Sequence, residues 1–129
     1  MDNNKKLALI VGVLIVLIFV FAFSIMPKST VRTDLEPFAK CISESGARFY
    51  GTFWCPHCQN QKKMFGSAKS LLPYTECSTS DGKGQLQVCT DSKVESYPTW
   101  EFKDGSRQTG EISLEVLAEK TNCTLPEVK

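Results

Sequence analysis

From Leu7 to Met26 the chain reads LALIVGVLIVLIFVFAFSIM, without one charged residue. At ~1.5 Å rise per residue, a helix of that length reaches about 30 Å, the hydrocarbon thickness of a bilayer. A helix buried in a soluble domain usually keeps a polar face, and this stretch has none. Two readings stay open: an uncleaved membrane anchor, or a signal peptide. Lys5 and Lys6 would be the positive n-region of a signal peptide, and Ala22 and Ser24 the small residues of its cleavage site. The run exceeds the roughly 7–15 apolar residues of a signal h-region, which favours the anchor. The expected organisation is a short N-terminus (1–6), a transmembrane helix (7–26), a polar tether (27–33) and one folded domain (34–129).

Charge narrows the range of partners. The 129 residues carry 15 Lys+Arg and 14 Asp+Glu. With Lys5, Lys6 and Asp2 set aside, the remainder is formally neutral and has no basic stripe. Nucleic acid is therefore excluded as a partner, because neutralising phosphates supplies most of that affinity. Aromatic and branched aliphatic residues recur throughout the soluble part, which excludes intrinsic disorder.

Cysteine placement sets the expected compartment. All six cysteines (Cys41, Cys55, Cys58, Cys77, Cys89 and Cys123) follow the apolar run. An even number in a small domain points to disulfides and an oxidising environment. The positive-inside comparison is nearly tied, with Lys5 and Lys6 before the span and Lys28 and Arg32 after it. The cysteines break the tie. The N-terminus is expected in the cytoplasm and the domain on the extracytoplasmic side of a cell membrane, periplasmic or luminal.

Within the domain, Thr33 or Asp34 can cap a helix that tolerates Pro37 in its first turn. Leu35, Phe38, Ala39 and Ile42 follow at helical spacing, and Gly46 stops it. ARFYGTF reads as a strand ending at Trp54-Cys55. From Cys58 the pattern turns helical, with Cys58, Phe65, Ala68 and Leu72 on one face until Pro73. A short strand at 73–77, a Gly/Ser-rich loop and a brief helix over 85–93 come next. Tyr97 to Phe102 is a strand, and Asp104-Gly105 turns it into a second one at 106–109. Ser113 caps the last helix, with Ile112 and Leu117 placed for a hydrophobic staple. The predicted order is α-β-α-β-α-β-β-α, an α/β domain with a central sheet flanked by helices.

Cys55-Pro56-His57-Cys58 falls where a strand runs into a helix. Thiol–disulfide exchange needs one attacking thiolate and a second thiol to resolve the mixed disulfide. A Cys-x-x-Cys pair in the first turn of a helix supplies both. Cys55 is expected to be exposed, where free N–H groups and the helix dipole favour negative charge. Cys58 is expected to sit one turn inward and shielded. His57 beside the pair would favour the thiolate further, and Pro56 starts the helix without wasting a hydrogen bond. Pro98, after Tyr97 at the start of a strand, is a candidate cis proline facing this turn, leaving neighbouring backbone groups free to align an extended substrate. No cofactor beyond a redox-active Cys55–Cys58 disulfide is required.

Other readings of these residues remain. Cys55 and Cys58 could ligate zinc with His57, Cys77 or Cys89, although Cys77 and Cys89 do not form the second close pair of common structural sites. They could form a purely structural bridge, though so tight a ring restrains little chain. His57 could be an ordinary surface side chain, and Pro98 an ordinary trans turn proline. Cys77 and Cys89 bracket the Gly/Ser-rich loop, where a bridge would contribute on the order of 2–3 kcal/mol, or they could relay electrons to Cys55 and Cys58. A Cys41–Cys123 bridge would tie the first and last helices together. Six cysteines permit 15 pairings, and sequence alone does not choose among them.

A strand into WCPHC, followed later by Tyr-Pro-Thr before an Asp-Gly hairpin, resembles the thioredoxin fold. FYGTFWCPHCQNQKKMFG, LPYTEC and SYPTWEFKDGSRQTGEISLEVLA are similar, more narrowly, to the thioredoxin-like domain fused to or partnering vitamin K epoxide reductase homologues. The resemblance implies that Cys55 is the nucleophile, Cys58 the resolving thiol and Pro98 the cis proline, with Trp54, Pro56, His57 and Tyr97 supporting them. Cys77 and Cys89 match that domain's additional cysteine pair. It further implies disulfide exchange with cysteine-containing exported proteins and with a quinone-linked membrane oxidoreductase of the vitamin K epoxide reductase type. The single apolar span has no cysteine, so the quinone chemistry would belong to a separate partner. The strand ARFYGTF also lacks the buried acid of thioredoxins and carries only Arg48 as a charged residue. Proton transfer at Cys58 would need another group.

Overall fold

The computed structural model describes residues 2–24 and 34–127. Positions 25 and 26 of the expected span, the tether 27–33 and the candidate cap Thr33 lie outside the described residues. The chain divides into two units, Met1–Val31 and Arg32–Lys129.

The first unit contains helix α1, Asn3–Ser24. It begins before the apolar run and takes in Lys5 and Lys6, because lysine is a good helix former and no Gly or Pro separates it from Leu7. Its Asn3–Phe21 stretch is long and apolar enough to cross a membrane, and none of that stretch is buried.

The second unit runs α2 (Glu36–Glu44), β1 (Arg48–Gly51), α3 (Pro56–Lys63), a 3-10 helix (Gly66–Leu71), β2 (Tyr74–Glu76), α4 (Gln87–Asp91), β3 (Thr99–Glu101), β4 (Arg107–Thr109) and α5 (Leu114–Thr121). Its four strands form one sheet in the order β2-β1-β3-β4. β1 and β2 are parallel, with Phe49 opposite Tyr74 and Gly51 opposite Glu76. A parallel pair needs a crossover, which α3 and the 3-10 helix provide. β3 lies antiparallel to both β1 and β4. The Asp104-Gly105 turn closes the β3–β4 hairpin, with Gly105 at φ +80. This is the central sheet flanked by helices expected of the thioredoxin-like fold, in the expected element order.

One departure lies in the crossover. The sequence pattern predicts a single helix to Pro73, but α3 stops at Lys63 and the chain resumes as a 3-10 turn. Gly66 sits at φ +55, a conformation side chains resist, so the α-helical path cannot continue through it. The bend carries Phe65 into the core, its ring stacked on Phe38 at 6.0 Å.

Alternation along β1 divides the interior in two. Phe49 faces the larger cluster, stacking on Trp100 with centroids 4.6 Å apart, among Phe38, Ile42, Phe65 and Leu117. Tyr50 faces the opposite side, with Cys77, Cys89 and Val94. Cys41 and Cys123 are disulfide-bonded, joining α2 to the chain just after α5.

Candidate functional site

The site lies where β1 ends. Its hydrogen bonds give way after Gly51 to a turn closed by Cys55 N–H on the Thr52 carbonyl at 3.2 Å. Cys55 is then the N-cap of α3 in extended conformation, with Pro56 in the first turn. Pro56 has no N–H to leave unsatisfied, and its fixed φ suits the first helical residue. Lys62 and Lys63 fall in the last turn, where the helix dipole favours positive charge.

Cys55 and Cys58 are both free thiols. Cys58 is fully buried, as the shielded position requires. Cys55 departs from the exposed position expected of it, being only 5% exposed. Its sulfur is covered by the segment before β3, where Cys55 Sγ donates to the Tyr97 carbonyl at 3.7 Å. The Tyr97–Pro98 peptide bond is cis, and Pro98 is buried. The Pro98 carbonyl accepts from Gly110 N–H at 2.8 Å, which fixes this segment against the end of β4.

Burial pushes the Cys58 thiol up to about 12, opposed by a backbone hydrogen bond from Thr52; the neighbouring Cys55 raises it further, and the Lys62 charge lowers it. Cys58 is therefore a neutral thiol at physiological pH. Gly51 has to be glycine at this point: a Cβ there would lie 2.9 Å from both Cys58 Sγ and the Tyr74 ring.

His57 turns outward instead of toward the thiols. Its Nδ1 lies 2.6 Å from Glu111 Oε1, and its side chain is largely exposed. The same carboxylate oxygen accepts from Asn60 Nδ2 at 3.2 Å. These two hydrogen bonds, His57 first, hold Glu111 below the usual carboxylate range. One turn inward, the fully buried Gln61 side chain donates to the Ile112 carbonyl at 3.0 Å and accepts from Ile112 N–H at 2.8 Å. α3 is thus fastened to the segment leading into α5 by His57 and by two side chains that the motif did not single out, Asn60 and Gln61. The indication was local: Asn60 and Gln61 follow Cys58 on a short helix whose inner face is buried, so they cannot both face solvent.

Trp54 and Phe53 remain about half exposed beside the thiols. Trp54 stands edge-on to Tyr97, centroids 6.3 Å apart, and its indole Nε1 donates to Ser78 Oγ at 2.9 Å. Cys77 and Cys89 are disulfide-bonded and fully buried. The loop between them curves back over the site, with the Gly82 backbone beside the Trp54 and Phe53 rings. Gln85 in the same loop bonds the Tyr97 hydroxyl. Among the described residues, no group of three or more His, Cys, Asp and Glu side chains could hold a metal ion.

No family model matches the chain. The chain is similar to the thiol-disulfide oxidoreductase LTO1 of Arabidopsis thaliana, at 42% identity over 108 residues. The match takes in 78% of this chain but only 28% of that protein, so the chain spans well under a third of the relative's length.

Proposed function

We propose that this chain is a membrane-anchored thiol–disulfide oxidoreductase acting through Cys55 and Cys58. One observation carries the reading: two free cysteines share the first turn of α3, one buried outright and the other under the Tyr97 carbonyl. Exchange begins when a substrate thiolate attacks Cys55 Sγ and releases Cys58, or when Cys55 thiolate attacks a substrate disulfide. Cys58 then resolves the mixed disulfide from within the domain. The Tyr97 carbonyl, which accepts from Cys55 Sγ while that thiol is free, and the half-exposed rings of Phe53 and Trp54 offer an extended peptide a backbone acceptor and apolar contact once the sulfur is engaged. The likeness to a plant thiol-disulfide oxidoreductase supports the same chemistry.

Residues 7–26 serve as the anchor in this reading, with residues 1–6 in the cytoplasm and the domain on the extracytoplasmic side. The substrates are cysteine-containing exported proteins. The domain is reoxidised by a quinone-linked membrane partner of the vitamin K epoxide reductase type, which the WCPHC and LPYTEC resemblance supports. The two structural bridges hold the domain while Cys55 and Cys58 cycle.

Equilibrating the full chain in detergent against glutathione tests the direction of flow, the oxidised fraction of Cys55–Cys58 being read by alkylation and mass. A potential near the roughly −120 to −180 mV of known oxidants and isomerases is expected. A value near about −270 mV makes the protein a reductant and reverses the proposed flow. For the partner, Cys58→Ser in native membranes is expected to trap a mixed disulfide with a polytopic membrane protein; trapping only soluble proteins removes that partner from the proposal.

A further inference from the structure

Cys58 must gain and lose a proton and a charge in each cycle, yet it is fully buried and β1 offers no acid. The groups around its sulfur are few. Gly51 has no side chain, and the gap it leaves is filled by Cys58 Sγ from α3 and the Tyr74 ring from β2. The Tyr74 hydroxyl donates to Glu76 Oε2 at 2.8 Å, which holds the ring in place. Glu76 is occupied elsewhere as well, its Oε1 accepting from Phe53 N–H at 3.2 Å and Ser78 N–H at 2.9 Å. Four residues after Cys58 on α3 comes half-buried Lys62, with its Nζ 3.2 Å from the Tyr74 ring centroid. An ammonium over an aromatic face is held there by the ring quadrupole. Residues four apart on a helix share a face, so this charge stands on the side of α3 that presents Cys58.

We propose that Lys62, laid on the Tyr74 ring one helical turn from Cys58, is the positioning residue whose ammonium balances the charge Cys58 acquires whenever the Cys55–Cys58 bond opens. The inference rests on the exchange chemistry proposed above. In the opening step a substrate thiolate bonds to Cys55 Sγ, the Cys55–Cys58 bond breaks, and its electron pair leaves with Cys58 Sγ. The new thiolate forms beside the Lys62 charge and then takes up one proton, drawn in net from solvent. In the closing step Cys58 returns one proton to solvent and attacks Cys55 Sγ as the thiolate favoured by the same Lys62 charge, and the substrate sulfur leaves as thiolate. Lys62 thus serves both directions. The other titratable groups facing this cluster are Cys55, Tyr74 and Glu76, with Lys69 acting on Lys62.

The test compares wild type, Lys62→Met and Lys62→Arg as full chains in detergent. The readout is the rate at which dithiothreitol opens the Cys55–Cys58 disulfide at pH 7, with thermal unfolding of each oxidised protein measured alongside. Removing a charge that shifts a leaving thiol by about one pKa unit is expected to slow Lys62→Met about three- to tenfold, while Lys62→Arg recovers most of the loss. A loss under threefold in Lys62→Met, or an equal loss in Lys62→Arg, overturns the proposal. Should Lys62→Met not fold, Lys62→Gln takes its place under the same criteria. If the wild-type disulfide neither forms nor opens, the exchange function itself fails; if it exchanges normally while the variants match it, only the role of Lys62 fails.

Discussion

Trp54 Nε1 donates to Ser78 Oγ at 2.9 Å, tying the turn before Cys55 to the loop clipped by Cys77 and Cys89. The loop buries little else of its own: Leu86 and Val88 are exposed, and the Asp81 to Gly84 stretch is held by Thr79. Its conformation therefore depends on the bridge. Replacing Cys77 and Cys89 by Ala is expected to cost about 2–3 kcal/mol of unfolding free energy by loop-closure entropy. Replacing Cys41 and Cys123, which close a much longer loop, should cost about 4–5 kcal/mol. Urea unfolding of the two double variants measures both, and the reverse order would contradict the entropic account.

Cys55 and Cys58 should respond differently to alkylation. Cys55 retains some exposure, whereas Cys58 has none and its thiol is pushed up to about 12. Iodoacetamide on the reduced protein at pH 8 is expected to modify Cys55 first, as read by peptide mass. The sign of the linked stability effect follows from the raised value. Cys58 stays neutral in the folded protein while an unfolded cysteine ionises near 9.0, so reduced-state stability is fully present below 9 and falls as pH rises toward 12. The Cys58→Ala variant should lose less stability over that window.

The link from His57 and Asn60 to Glu111 predicts an effect at the acid end. Glu111 lies below its ordinary 4.5 because it accepts these hydrogen bonds. A depressed carboxylate contributes stability above the unfolded value and loses it as pH falls through the folded one. Carboxyl carbon shifts from a pH titration should therefore place the Glu111 midpoint below 4.5 in wild type and move it upward in His57→Ala. A midpoint at or above 4.5 in wild type would remove the hydrogen bond from the solution structure.

Gly51→Ala tests how tightly the floor of the site is packed. The added methyl would meet both Cys58 Sγ and the Tyr74 ring at 2.9 Å, and both belong to buried or half-buried side chains with little room to retreat. Overpacking of this kind costs about 1–3 kcal/mol. Denaturant unfolding should show that loss, and disulfide opening by dithiothreitol should slow as the ring and its lysine are displaced.

Sequence by itself determined what depends on neighbours along the chain. Twenty uncharged residues in a row announce α1, and ARFYGTF announces a strand running into Trp54-Cys55. Asp104-Gly105 announces a hairpin, and Cys-Pro-His-Cys at a strand–helix junction announces two thiols on one turn. These signals are local because rise, pleat and turn geometry repeat over a few residues. The tertiary structure decided everything that required two distant segments to meet. It sent His57 to Glu111, locked Gln61 onto the Ile112 backbone, covered Cys55 with Tyr97 and laid Lys62 on a ring from β2. No periodicity encodes such pairs, since each partner's direction is set by strand order and by the packing of a shared core.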